Sequence, residues 1–297
     1  MRYLPMRGFC LALAVLSGTA FAHDDPRPGD PTVLRKAVEI TDETSLSARV
    51  KLSTGHLFIE NGSRSQAFRG EFVYRAQAPD IRYDVVGRRG ELDIRLEQDG
   101  DDLNVRDYDG RNIHFDEDYD NEVRLSFARS LPLDLDLELG VIKGDLDFGG
   151  LQLRECEVKS AVSDAKIDFG DPNPIPMRYL NIESGVGNLR LYRLGNANAE
   201  EMRFEGGVGS YELDFSGDLR RSADVDIEIG MGKLRLELPR SVGVRLRIDE
   251  SLFSSVDIDD VYKSGDSYFN ERWKSSEIRL DIVIDSGLSK VEVHWVD

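Results

Sequence analysis

The residue types that could do chemistry in this chain are few and scattered. The four histidines are His23, His56, His114 and His294. Zinc sites need ligands at a characteristic spacing, and no histidine has a partner at metal-ligand spacing. A Gly-x-Ser-x-Gly nucleophile elbow is absent. The densest oxygen ligands are Asp116, Glu117, Asp118 and Asp120, inside the acidic run 98–122. Calcium takes such ligands, but the spacing is not that of an EF-hand loop, and charge runs are commonly just solvated. The stretch 99–122 is read as a solvated loop, with calcium binding as its rival. Three pieces, GVGNLR, GVGSYE and GMGKLR, imitate a dinucleotide loop for four residues. That loop requires a third glycine and a helix to receive the pyrophosphate, whereas here an alternating strand pattern continues. No catalytic residue, metal or cofactor is assigned.

The glycines make sense as corners of a repeat. Five stretches align: LDLELGVIKGDLDF, CEVKSAVSDAKIDF, LNIESGVGNLRLYR, MRFEGGVGSYELDF and VDIEIGMGKLRLEL. They start at Leu135, Cys156, Leu180, Met202 and Val225, so the spacings are 21, 24, 22 and 23 residues. Each alternates apolar and polar residues, meets a Gly or Ala corner, and alternates again. Alternation marks a half-buried strand. Two short strands in a unit of about 22 residues predict an all-β solenoid, a β-helix. Fainter copies start at Ala48, Leu252 and Ile284, and RGEFVY and RGELDIRL are candidate copies of the second strand.

In this frame Gly185, Gly187, Gly207, Gly209, Gly230 and Gly232 are structural corners. Val186, Val208 and Met231, between them, are expected in the buried core, in the slot that Val141 and Val162 also occupy. Cys156 shares a register with Leu180, Met202 and Val225 and is expected buried and inert. One outward column holds Glu138, Lys159, Glu183, Glu205 and Glu228. Stacked like charges destabilise a sheet, and Arg190, Arg203 and Arg235 lie near enough to relieve them.

The segment 261–277 interrupts the pattern with Tyr262, Tyr268, Phe269 and Trp273 beside Lys263, Arg272 and Lys274. It reads as a hairpin that caps an open sheet end or as a contact surface, where aromatic and arginine side chains concentrate. Trp273 and Tyr262 are placed at its base. The candidate partner contacts are Phe269, set near the tip, with Tyr268 and Arg272.

The chain begins with Arg2 and Arg7, an apolar stretch from Gly8 to Leu16, and Ala20-Phe21-Ala22. That is the pattern of a secretory signal peptide cut after Ala22, too short to span a bilayer, and the expected address is the periplasm. Loss of Arg2 and Arg7 takes the formal charge from -18 to about -20. Such a surface argues against nucleic acid and anionic lipid as partners. Cys156 is then the one remaining cysteine, which excludes a disulfide framework. An arm through about Pro31 leads into VLRKAVEI (Val33–Ile40), read as a short helix over the first unit.

The run IEIGMGKLRLELPRSVGVRLRID and the later IRLDIVIDSGLSKVEVHW resemble the C-terminal domain of the LiaF-like, cell-wall-active-antibiotics-response family. The stretch from Ser47 through LSTGHLFIENG to about Glu97 resembles the toast-rack domain of bacterial envelope proteins. The resemblance implies β-helical repeats and an envelope setting, and brings no catalytic residues. In the namesake it implies regulation beside a stress-sensing kinase. This chain departs from the namesake in carrying a signal peptide and no membrane helices. The expected organisation is a signal peptide (1–22), an N-terminal arm and cap (23–45), toast-rack-like β repeats (46–130) and a LiaF-like β-solenoid (131–297) bearing the hairpin 261–277. The expected function is a non-catalytic exported scaffold or interaction protein of the envelope, linked to envelope stress, whose partner is an unidentified envelope protein or glycan. Its rivals are a calcium- or surface-binding adhesin-like protein and a β-helical enzyme acting on polysaccharide.

Overall fold

Alternating side chains favour strands wherever one face can be buried, and this chain alternates almost throughout. A computed structural model describes residues 31–97, 121–250 and 255–297. The signal peptide, the arm before Pro31, His23, His114 and the carboxylates Asp116, Glu117, Asp118 and Asp120 lie outside the described residues. The first half holds β1 (Thr32–Glu39), β2 (Ser45–Asn61), β3 (Gln66–Tyr74), β4 (Asp80–Val86), β5 (Arg89–Leu96) and β6 (Glu122–Phe127). Five long strands follow: β7 (Pro132–Asp147), β8 (Gln152–Asp168), β9 (Met177–Tyr192), β10 (Ala199–Asp214) and β11 (Ala223–Pro239). The chain ends with β12 (Gly243–Glu250), β13 (Ser255–Asp257), β14 (Tyr262–Ser264), β15 (Ser267–Phe269) and β16 (Arg279–Val296). All belong to one long, mostly parallel sheet.

Its centre is the parallel series β2-β7-β8-β9-β10-β11-β16. Leu135 stands beside Cys156, Cys156 beside Leu180, Leu180 beside Met202, Met202 beside Val225, and Val225 beside Ile282. These residues form one buried row, and further rows such as Leu189, Tyr211, Leu234 and Val291 continue the core beyond the bend in each strand.

The bend corrects one expectation. In β10 the inward positions are Met202, Phe204 and Gly206 before the corner, then Tyr211 and Leu213 after it. The parity changes because both halves of the strand face the same core, so the chain must turn around it. The corner residues then lie on the outside of the turn. Val186, Val208 and Met231 are accordingly 49%, 47% and 47% exposed, not buried, and Val141 and Val162 are half-exposed. Counting every second residue straight through the corner places them wrongly. Cys156 is fully buried, and burial pushes its thiol pKa up, helped by Glu157 and Asp136.

Gly187 and Gly232 adopt φ of +148° and +132°, a region that side-chain-bearing residues avoid. At the neighbouring corner positions the requirement is space. A Cβ on Gly230 would lie 2.6 Å from the Gly207 carbonyl oxygen, and one on Gly209 would overlap the Gly187 carbonyl. Parallel strands about 4.8 Å apart leave no room there for more than hydrogen.

Two N-terminal expectations also change. VLRKAVEI is not helical: it lies in β1, antiparallel to β3. Leu34, Lys36 and Val38 face the body, and Arg35 pairs with Glu71 across the ladder at 2.7 Å. The available β3 edge outweighs the helical propensity of an Arg-Lys-Ala run. RGEFVY lies in β3, antiparallel to both neighbours, and so is not a copy of the parallel unit. RGELDIRL (β5) does run parallel to β2.

The β1–β2 turn is fixed by Glu43, which is 6% exposed. It accepts hydrogen bonds from the Tyr83 hydroxyl (2.7 Å) and from the Thr41 backbone N–H (2.6 Å) and hydroxyl (3.0 Å). Burial alone would raise its carboxyl pKa, but these donors together outweigh burial and hold it below the usual range. Burial, then the carboxylate, push the Tyr83 phenol up. A carboxylate with a lowered folded-state pKa stabilises above its unfolded pKa of about 4.3 and loses that contribution as pH falls. Replacing Glu43 by Gln is therefore expected to cost about 1–3 kcal/mol at neutral pH. In thermal melts the gap from the parent should narrow steadily with acidification; a gap independent of pH would show that the carboxylate charge does not matter.

The corner yields a second expectation. Gly232→Ala should cost more than about 2 kcal/mol, while Met231→Ser, one residue away, should stay within about 0.5 kcal/mol. Equal losses in melting temperature would contradict the outward corner.

Candidate interaction surface at the C-terminal end

β16 inserts between β11 and β12, so β12 stands beyond the last residues of the chain. The β14–β15 hairpin pairs onto β12 through β15. Its two-residue loop is Gly265-Asp266, with Gly265 at φ +61°, as a II′ turn requires at its first position. Phe269 therefore lies opposite Tyr262 at the open end of the hairpin, not near the tip. The turn forms at the only glycine of the segment, four residues earlier than Phe269.

Asn270 anchors the end of β15. Its side-chain carbonyl accepts the Val244 N–H (2.9 Å), its amide donates to the Val242 carbonyl (2.8 Å), and its own N–H donates to the Val244 carbonyl (3.1 Å). A 3-10 turn, Glu271–Lys274, then carries Trp273 back over β12. Tyr262 and Phe269 stack with centroids 5.4 Å apart, and Phe269 meets Trp273 at 5.6 Å. Trp273 lies between the guanidinium groups of Arg245 (5.2 Å) and Arg279 (5.1 Å), and the Lys274 ammonium lies 5.6 Å from the Tyr262 ring. Each cation over a ring face contributes about 0.5–1 kcal/mol at exposed sites. A cavity of about 830 Å³ opens beside the cluster, lined by Arg240, Asp260, Tyr262, Asn270, Arg272 and Trp295.

Of the residues expected to meet a partner, Phe269 belongs to this cluster and Arg272 lines the cavity beside it. Tyr268 does not: strand alternation turns it to the other face of the hairpin, where it packs on the core and receives the Lys263 ammonium (3.0 Å). Trp273 and Phe269, assigned separate tasks by sequence, form one contact. Sequence reasoning missed Arg245 and Arg279, because their shared position at Trp273 depends on the pairing of β12 with β16. It also missed Asn270, which looks like any polar loop residue until its three backbone bonds are seen.

Elsewhere, Arg203 does relieve the carboxylate column, pairing with Glu205 and Glu228, while Arg235 pairs with Glu237 on its own strand. Lys233 and Lys290 hold Glu292 down to about 2, with His294 4.0 Å away. Among the described residues no group of three or more His, Cys, Asp or Glu side chains is placed to hold a metal ion. The Gly-x-Gly stretches run on as strand, and no described helix is long and apolar enough to cross a membrane.

The architecture defines an all-β protein whose body is a single, mostly parallel sheet. The family model for the N-terminal domain of toast_rack, DUF2154, matches residues 28–192 and 172–237, and the chain belongs to that family. No curated protein matches the sequence. Among solved structures, a proposed cell adhesion protein from Clostridium sporogenes aligns with 90% of this chain and 100% of its own, at 19% identity and a TM-score of 0.46. A proposed adhesin from Bacteroides fragilis aligns with 88% of this chain and 97% of its own, at 10% identity and a TM-score of 0.35. One from Parabacteroides merdae aligns with 89% and 96%, at 11% identity and a TM-score of 0.31.

Removing the anchor should loosen the surface. Asn270→Ala leaves a buried N–H and a buried carbonyl without partners and is expected to cost at least about 2 kcal/mol, with a red shift in tryptophan fluorescence as Trp273 leaves its two arginines. Unchanged stability and emission would show that the hairpin is held by other contacts.

Proposed function

We propose that this chain is a non-catalytic interaction protein of the bacterial cell envelope, exported by its N-terminal signal sequence. In this reading the parallel stack is a β-solenoid of units of about 22 residues that holds its C-terminal end ready for an envelope protein or glycan. Membership of the toast-rack family supports the envelope setting. The observation that carries the contact role is the joining of Tyr262, Phe269 and Trp273 with Arg245 and Arg279 at one end of the sheet, beside an open cavity that Arg272 lines. Aromatic and arginine side chains dominate binding hot spots because they offer large apolar area with directed polar groups. Tyr262 is 38% exposed and Arg272 is exposed as well, so both remain available to a partner.

The test is affinity capture from envelope extracts with the parent protein and with a Tyr262→Ser, Arg272→Glu variant. Losing the Tyr262 stack on Phe269 and the Lys274 contact should cost about 1–2 kcal/mol, so capture is run well below the melting temperature of the variant, where both proteins are folded. The expected result is a protein or glycan retained by the parent and lost by the variant. Equal capture by both, or none by the parent, would remove this end of the sheet as the partner site.

A further inference from the structure

We propose that the corner ridge of the parallel stack is a self-complementary face through which two copies of this chain pair about a two-fold axis running along the stack. Strand register places Val141, Val162, Val186, Val208, Met231 and Leu288 in one row. The last four are 47–49% exposed and stand on consecutive neighbours in the sheet. Elsewhere among the described residues, the exposed large apolar side chains are Val33, Val85, Val86 and Tyr262. A continuous apolar stripe bordered by charge marks a contact surface.

Just before the ridge in each strand runs a trough of about 1080 Å³, with Gly140, Gly185, Gly207, Gly230 and Gly287 among its lining. It spans seven strands, from Ser53 in β2 to Gly287 in β16, or about 29 Å at about 4.8 Å per strand. Ridge and trough are adjacent and parallel, so a second ridge has a place to lie.

The charges on either side select the occupant. Val141 is flanked by Glu138 three residues before and Lys143 two residues after. At the same offsets Met231 has Glu228 and Lys233, and Leu288 has Asp285 and Lys290. Val162 has the reverse pair, Lys159 before and Asp164 after. Both signs invert together in β8, so each of these strands is complementary to itself turned around. At Val186 and Val208 the flanks are Glu183 with Asn188, and Glu205 with Ser210, which also avoids like charge. Lys143, Asp164 and Asp285 make no ion pair with any described residue.

A two-fold axis along the stack sets each strand against its own copy with the flanks exchanged: Glu228 meets Lys233, Lys159 meets Asp164, Asp285 meets Lys290. The same rotation lays each ridge in the other copy's trough, an isologous contact. An axis across the stack would instead oppose one carboxylate row to the other. Over the six strands of the ridge the face measures about 24 Å by roughly 16 Å. That is about half of the ~800 Å² per partner of a standard interface, so pairing is expected to depend on concentration.

Sedimentation velocity on the purified protein should show the mass doubling as concentration rises. Two variants then isolate the charges: Lys143→Glu with Lys290→Glu, and Glu138→Lys with Asp285→Lys. Each alone should lose the dimer, and an equimolar mixture should regain it as a heterodimer, which a merely misfolded variant could not do. Under oxidation, a Leu288→Cys variant should link to itself, because the axis brings equivalent strands together. A monomer at every concentration, dimers retained by both charge variants, no rescue on mixing, or a Leu288→Cys protein that links to a Val141→Cys protein but not to itself would each overturn the proposal.

Discussion

At the corners of the parallel stack, backbones approach so closely that a carbonyl of one strand points into the space where the next would carry its Cβ. Much else depends on this contact. It places glycine at residues 185, 207, 230 and 287, where side chains would force neighbouring strands apart. It also locks the register, since a slip of one residue would bring a Cβ against a carbonyl and turn every core side chain to the wrong face. This column, glycine except for Ser53 in β2 and Ala161 in β8, is part of the trough, and the residues next to it form the ridge.

What holds the connections between strands is different in kind. Asn173, Asn196 and Asn198 are buried in successive loops and donate to backbone carbonyls of neighbouring connections, including those of Ala197, Phe169 and Ile175. Asn270 does the same for the terminal hairpin. Loops carry backbone groups that no ladder satisfies, and a short amide side chain can offer a donor and an acceptor at once. The sheet is thus sealed by apolar rows within the strands and by asparagines between them.

The strand content was legible because alternation is a local property, and the aligned stretches lie side by side in the register that their alternation indicates. The direction of Val186, Val208 and Met231 was not, because the change of parity at a bend depends on where the core lies and not on the residues in the bend. The strand at β1 was hidden for a related reason: its partner, β3, is about thirty residues away, and nothing within Val33–Ile40 announces it. At the candidate site, the aromatic and basic composition of 261–277 was visible, but its geometry was not. Arg245 and Arg279 converge on Trp273 through long-range pairing, and Asn270 shows its importance only through the groups it satisfies.

The insertion of β16 between β11 and β12 has a consequence for the order of assembly. Strands β8 to β11 each pair with the one made just before, so that part of the sheet can grow as the chain emerges from its N-terminus. β12 cannot join in this way, because its parallel neighbour is β16, which is made after it. Until Arg279–Val296 is available, β11 presents an open edge and the hairpin segment has no fixed base to rest on. Closure at this end is therefore a single late event that completes β11, β12 and the aromatic cluster together. A chain without β16 would keep most of its core while exposing the long β11 edge, the kind of surface that recruits other chains.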